Sequence, residues 1–190
     1  TPGGTFTPPA GVTHVRFKMW GGGGSGSHTS SGKVAGGGGG GGYVYGESVV
    51  SPGTAYQVTV GEGGACGRAD CKGTQNGNKG GDTLLVIAGK TFKASGGNGG
   101  KWDNNGFADP VAVGAATGGS LNLAGINGGR GTSSTYQGPT EGGGSHFGGS
   151  TTPRTAGAPP NYPGGASAGS DQGNSVVQYA GGDGLVIFEW

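Results

Sequence analysis

Val15-Arg16-Phe17-Lys18-Met19-Trp20-Gly21-Gly22-Gly23-Gly24 is the stretch whose reading decides the fold. Its first six residues alternate, with Val15, Phe17 and Met19 on one face and Arg16 and Lys18 on the other, the two-residue period of a half-buried β-strand. Its last four residues carry no side chain. A chain that passes in one step from strand to polyglycine either enters a disordered linker or builds structure from backbone alone.

Composition first favours the linker. The 190 residues include 53 glycines and 10 prolines, about one third of the chain, and Gly plus Pro above roughly 25–30% without a repeat marks low complexity. The hydrophobic class is 30% with alanine and cysteine counted, so any core is small. Runs such as 36–42 break the register of one glycine in three, which excludes collagen. Eleven basic against ten acidic residues leave a net charge of +1, with no cluster of Lys and Arg to displace counterions from phosphates, so nucleic acid is excluded as a partner. No apolar run approaches the ~18 residues of a membrane span. A chain starting at Thr1 without methionine or signal peptide reads as a processed product or part of a longer protein.

Against disorder stands the recurrence of strand patterns. Residues 43–50 are rich in aromatic and β-branched side chains. The turn Ser51-Pro52-Gly53-Thr54 follows, and Tyr56, Val58 and Val60 then share a face, so the two segments read as a hairpin. A second hairpin is expected where 83–88 runs into Gly89-Lys90 and returns through Thr91-Phe92-Lys93-Ala94, with Leu84-Leu85-Val86-Ile87 placed centrally. Residues 184–190 form a terminal strand. Thr5-Phe6-Thr7, stopped by Pro8-Pro9, forms a short edge strand, and the two ends are expected to pair. Between 95 and 183 only islands such as Leu121-Asn122-Leu123 and Val176-Val177 interrupt Gly, Ser, Thr, Asn and Pro. No segment shows a helical period, and helix should be nearly absent.

A long structureless segment inside a compact domain argues against itself unless glycine builds a lattice. Extended glycine strands, including threefold helices of the polyproline II type, approach closely enough for N–H and C=O groups to pair between them. Such helices have no internal hydrogen bonds and must pack in bundles.

The order of motifs resembles a known family. Gly4-Thr5-Phe6-Thr7-Pro8-Pro9-Ala10-Gly11-Val12-Thr13-His14-Val15, then Trp20 with its glycine run, Gly40-Gly41-Gly42-Tyr43, Ser51-Pro52-Gly53, the segment 56–64 and Gly181-Gly182-Asp183-Gly184-Leu185-Val186-Ile187 resemble the glycine-rich domain at the ends of bacteriophage tail fibres, over nearly the whole chain. The resemblance implies a β scaffold with glycine-rich loops or polyglycine II helices. It also implies a virion location, a homotrimer, and recognition of a bacterial surface polysaccharide or outer-membrane protein. A structural or assembly module of the fibre, or an extracellular glycine-rich cell-surface ligand or receptor domain, is the alternative.

The residues themselves suggest binding rather than catalysis. His14, His28 and His146 have no metal spacing, and Gly24-Ser25-Gly26-Ser27 breaks at His28 as a nucleophile elbow. The acids Asp103, Asp109, Glu141 and Asp171 are too scattered for spacing to select a glycosidase pair. Asp103-Asn104-Asn105-Gly106 lacks the downstream acid of a calcium loop, and no Gly-Lys-Ser/Thr follows the run 36–42. No enzyme activity, metal or cofactor is expected. Cys66 and Cys71 are candidates for a local disulfide, with two free thiols as the alternative. Receptor contacts are expected from the aromatic and polar residues of the central region: Trp102, Asn104, Asn105, Phe107, Tyr136, His146, Phe147 and Tyr162. Trp20 and Trp190 are assigned to the scaffold. The whole reads as one all-β domain, 1–190. A small β-sandwich-like scaffold, about 1–95 and 175–190, carries a glycine-rich variable region, about 96–174.

Overall fold

With so few apolar side chains, the core forms where alternating strands can face each other. The computed structural model describes residues 3–29, 34–66, 74–103, 107–108, 111–129, 131–132, 141–148, 163–169 and 180–190. The described residues contain thirteen strands and no helix: β1 (Gly3–Phe6), β2 (His14–Trp20), β3 (Val34–Ala35), β4 (Tyr43–Val49), β5 (Tyr56–Thr59), β6 (Thr83–Ile87), β7 (Lys90–Ala94), β8 (Trp102–Asp103), β9 (Phe107–Ala108), β10 (Ala116–Thr117), β11 (Leu121–Leu123), β12 (Gly131–Thr132) and β13 (Leu185–Glu189). The protein is all-β. A five-stranded sheet runs in the order β1-β5-β6-β7-β10 and a four-stranded sheet in the order β11-β4-β2-β13; two small pairs, β12-β9 and β3-β8, stand apart.

Alternation fixes what lies between the sheets. Val15, Phe17 and Met19 of β2 are buried together with Val44 of β4, Leu85 and Ile87 of β6, and Phe92 and Ala94 of β7. Phe17 meets Phe92 edge to face, with ring centroids 4.6 Å apart. Gly46 sits opposite Phe17 in the β2–β4 ladder, and a Cβ there would overlap the Phe17 ring. This strand glycine is a recess for an aromatic ring.

Pairing departs from the expected hairpins in one place and follows them in another. Segments 43–50 and 56–60 do not pair: β4 lies between β2 and β11, and β5 lies between β1 and β6. The turn at Pro52-Gly53 carries the chain from one sheet to the other, pinned by Val50 N–H to the Thr13 carbonyl at 2.9 Å and Gly53 N–H to the Pro8 carbonyl at 3.0 Å. β6 and β7 do form a hairpin, with Ile87 opposite Lys90. Its turn residues are Ala88 and Gly89, both at positive φ, 50° and 74°, as a two-residue turn matching strand twist requires. β6 is the central strand of its sheet. The chain ends do not pair either. β1 joins β5 and β13 joins β2, and the ends meet across the sandwich through Phe6 and Phe188, stacked with centroids 3.8 Å apart.

Beyond the strands the glycine runs hydrogen-bond to one another with a period of three. In the run 21–27, the N–H groups of Gly21, Gly24 and Ser27 donate to the carbonyls of Gly42, Gly39 and Gly36, while those of Gly22 and Ser25 donate to Gly81 and Asn78. The third row goes to the Gly182 carbonyl from Gly23 and to the Ser167 Oγ from Gly26. The run 36–42 repeats the scheme: Gly36, Gly39 and Gly42 donate to Lys101, Asn98 and Ser95, Gly37 and Gly40 to Gly129 and Ile126, and Gly38 and Gly41 to Ser167 and Gly164. Three rows of partners at three-residue spacing are the signature of extended threefold helices packed in a bundle. Neither run contains a positive φ, so glycine is needed there for closeness. A Cβ on Gly24 would overlap the Asn98 carbonyl, and one on Gly40 the Gly144 carbonyl. Strands β2, β4 and β13 all run directly into this hydrogen-bonded lattice at one end of the four-stranded sheet.

Candidate functional site

The outer face of the four-stranded sheet is built by the residues that alternation turns away from the core. Register places Trp20 between Leu185 and Tyr43, Lys18 between Ile187 and Tyr45, and Arg16 between Glu189 and Glu47. Leu123 and Leu121 of β11 extend the first two rows beside Tyr43 and Tyr45. The face therefore runs from apolar beside the lattice to charged at the far end. Lys18 Nζ bonds Glu189 Oε1 at 2.7 Å, which raises the Lys18 pKa and keeps the ammonium charged.

Over the apolar end folds the turn 145–148. Gly148 N–H donates to the Ser145 carbonyl at 3.2 Å, Ser145 Oγ donates to the Pro163 carbonyl, and Trp20 Nε1–H donates to the His146 carbonyl at 2.6 Å. These bonds hold Phe147 at φ 60°, a conformation costing a bulky side chain ~1–2 kcal/mol, with 78% of the residue exposed. Its ring stands edge-on to Tyr43, centroids 5.1 Å apart, and Tyr43 packs on Trp20 at 5.0 Å. The result is a groove of about 430 Å³ walled by Phe147, Pro163, Leu185 and Ile187, floored by Trp20 and Tyr43 and closed by Lys18. Burial raises the Tyr43 pKa, so the phenol stays neutral. The charged end holds a second, more polar cleft of about 550 Å³ lined by His14, Arg16, Glu47, Ser48 and the exposed Trp190.

Chemically the groove offers stacking and apolar contact, with one charged pair at its edge. It brings no nucleophile and base together, and among the described residues no three His, Cys, Asp or Glu side chains converge. Of the residues picked from sequence, His146 and Phe147 meet here, Phe147 as a wall and His146 through its carbonyl. Trp102 lies in β8 opposite Ala35, half-buried, its N–H donating to Asn76 Oδ1 at 3.2 Å, and does not line the groove. Phe107 falls in β9 opposite Thr132, and its side chain is outside the described part. Asn104, Asn105, Tyr136 and Tyr162 lie outside the described residues, as does Cys71; Cys66 is disulfide-bonded. Trp20, assigned to the scaffold from sequence, is both buried and part of the groove. Tyr43, Leu185 and Ile187 escaped the sequence reading, although alternation from Trp20 through Lys18 already marked the face they share.

A family model described as a glycine-rich domain matches residues 1–190. The chain belongs to the glycine-rich domain family. A lattice of glycine helices under a two-sheet core is thus how this member of the family uses its composition. No curated protein matches the chain.

Proposed function

We propose that this glycine-rich domain is the receptor-binding tip of a bacteriophage tail fibre, displayed outside the cell on the virion and holding a bacterial surface polysaccharide or outer-membrane component without catalysis. One observation carries the reading: an exposed aromatic, Phe147, is held at φ 60° at the mouth of a groove beside the hydrogen-bonded glycine lattice. Strained backbone positions cluster at binding sites, and an exposed aromatic ring at a groove mouth is free to meet a partner, which supports the reading. The resemblance of the motif order to tail-fibre tips supplies the partner class.

The test is attachment of the fluorescently labelled chain to a panel of bacterial strains, with purified lipopolysaccharide, capsule and outer-membrane protein as competitors. The reading expects saturable attachment to some strains and at least tenfold weaker attachment by Phe147→Asn. Absence of attachment to every strain, or equal attachment by the variant, would overturn it.

A further inference from the structure

Strand β13 is the last strand of its sheet, and among the described residues nothing pairs with its other side. In an antiparallel pair every second residue turns its N–H and C=O away from the partner, so β13 offers a row of free main-chain donors and acceptors. Natural edge strands are usually blunted by proline, bulges or inward charges. Leu185-Val186-Ile187-Phe188-Glu189 has no proline or bulge, and its single charge, Glu189, stands at its end paired with Lys18.

Cavities lie on both sides of this edge. On the outer side Leu185 and Ile187 wall the aromatic groove. On the inner side Val186 and Phe188 face Phe6, Val58 and Val60 across a cleft of about 380 Å³ between the two sheets, where β1 is the edge of the opposite sheet. Gly3 and Gly4 bound that cleft, and a Cβ on either would meet nothing within 4 Å. Phe6 stacked on Phe188 bridges the two sheets here, and the cleft is the space left beside that stack.

We infer that β13 is a strand-addition site: an extended polypeptide segment, apolar at alternate positions, pairs with its free edge. Consecutive side chains of that segment enter the inter-sheet cleft and the aromatic groove in turn. This rests on the groove being the recognition surface proposed above and names its ligand class as protein rather than glycan. A sugar has no main-chain ladder to match the edge, and the groove's walls are apolar. A second copy fits less well. Antiparallel pairing of two β13 strands about Ile187 sets Leu185 against the Glu189 carboxylate of the copy. The seam two copies would share is five residues, about 17 Å, long.

The experiment selects ten-residue peptides on the full chain from two libraries of equal composition, one with Val, Ile, Leu and Phe at alternate positions and one with them in blocks. The alternating library should be enriched. Methylating every second amide nitrogen of the best peptide should weaken it at least tenfold in one register and less than twofold in the register shifted by one residue. No enrichment, or equal effects in both registers, would overturn strand addition. So would concentration-dependent association of the full chain that Ile187→Lys abolishes, which would assign the edge to a second copy. If Phe147→Asn loses cell attachment while no alternating peptide is selected, the receptor reading stands and the strand site falls.

Discussion

Phe147 sets a local conflict that fixes its meaning. Its φ of 60° costs ~1–2 kcal/mol, against about 0.5–1.5 kcal/mol gained from the edge contact with Tyr43. The two nearly cancel. Asparagine tolerates the left-handed region, so Phe147→Asn should leave thermal stability within about 1 kcal/mol of the parent while weakening attachment, a separation that calorimetry and cell binding together would show. Asp82 carries a different, structural charge. Partial burial opposes its ionisation, but Lys93 at 2.6 Å, the Gly96 N–H at 2.9 Å and Lys79 at 3.2 Å outweigh that and lower its pKa. A carboxylate depressed in the folded state stabilises above its unfolded pKa and loses that contribution as pH falls through the folded value. Asp82→Asn should therefore destabilise the fold at neutral pH by ~0.2–1 kcal/mol for each ion pair at this exposure, seen as a lower melting temperature, and the difference from the parent should shrink below about pH 4. Phe147 was legible in the sequence because aromatics are scarce around it. Tyr43, Leu185 and Ile187 were not, because their meeting depends on register between strands more than 100 residues apart, which no local pattern encodes.

At the scale of elements, alternation identified the strands and left their partners undetermined. The run from Val15 to Trp20 and the terminal run from Leu185 stand as strands because period-two burial is a local property. The supposed hairpin from 43 to 60 failed because a proline-glycine turn also serves as a corner between sheets. Glycine runs have their own local rule. One buried backbone hydrogen bond contributes about 0.5–1.5 kcal/mol against an ordering cost of ~1–2 kcal/mol per residue, so a lattice helix gains little alone and needs its neighbours at full contact. Gly40→Ala, whose Cβ would overlap the Gly144 carbonyl, should cost more than about 3 kcal/mol, at the upper end for single substitutions. Gly4→Ala, at the open edge strand β1 with free space around it, should change stability by less than about 1 kcal/mol. Urea denaturation of the two variants provides the comparison.

For the whole molecule, the sandwich and the lattice depend on each other. The core is small, and each strand of the four-stranded sheet that enters the lattice gains a fixed end there. The balance between a linker and a lattice, open from composition alone, is decided by the three-residue spacing of hydrogen bonds in the runs 21–27 and 36–42. The tail-fibre reading expects a homotrimer, in which a domain with so small a core would gain burial from sister chains. Analytical ultracentrifugation should find three times 18.1 kDa, and a stable monomer would count against the trimer while leaving the fold untouched. The central claim, that glycine here is ordered scaffold held by its backbone, is tested most directly by residue-resolved amide hydrogen exchange. Gly22, Gly24, Gly39 and Gly40 should exchange as slowly as the core residues Phe17 and Leu85. Exchange of these glycines at the rate of an unstructured peptide, with the core strands still protected, would contradict it.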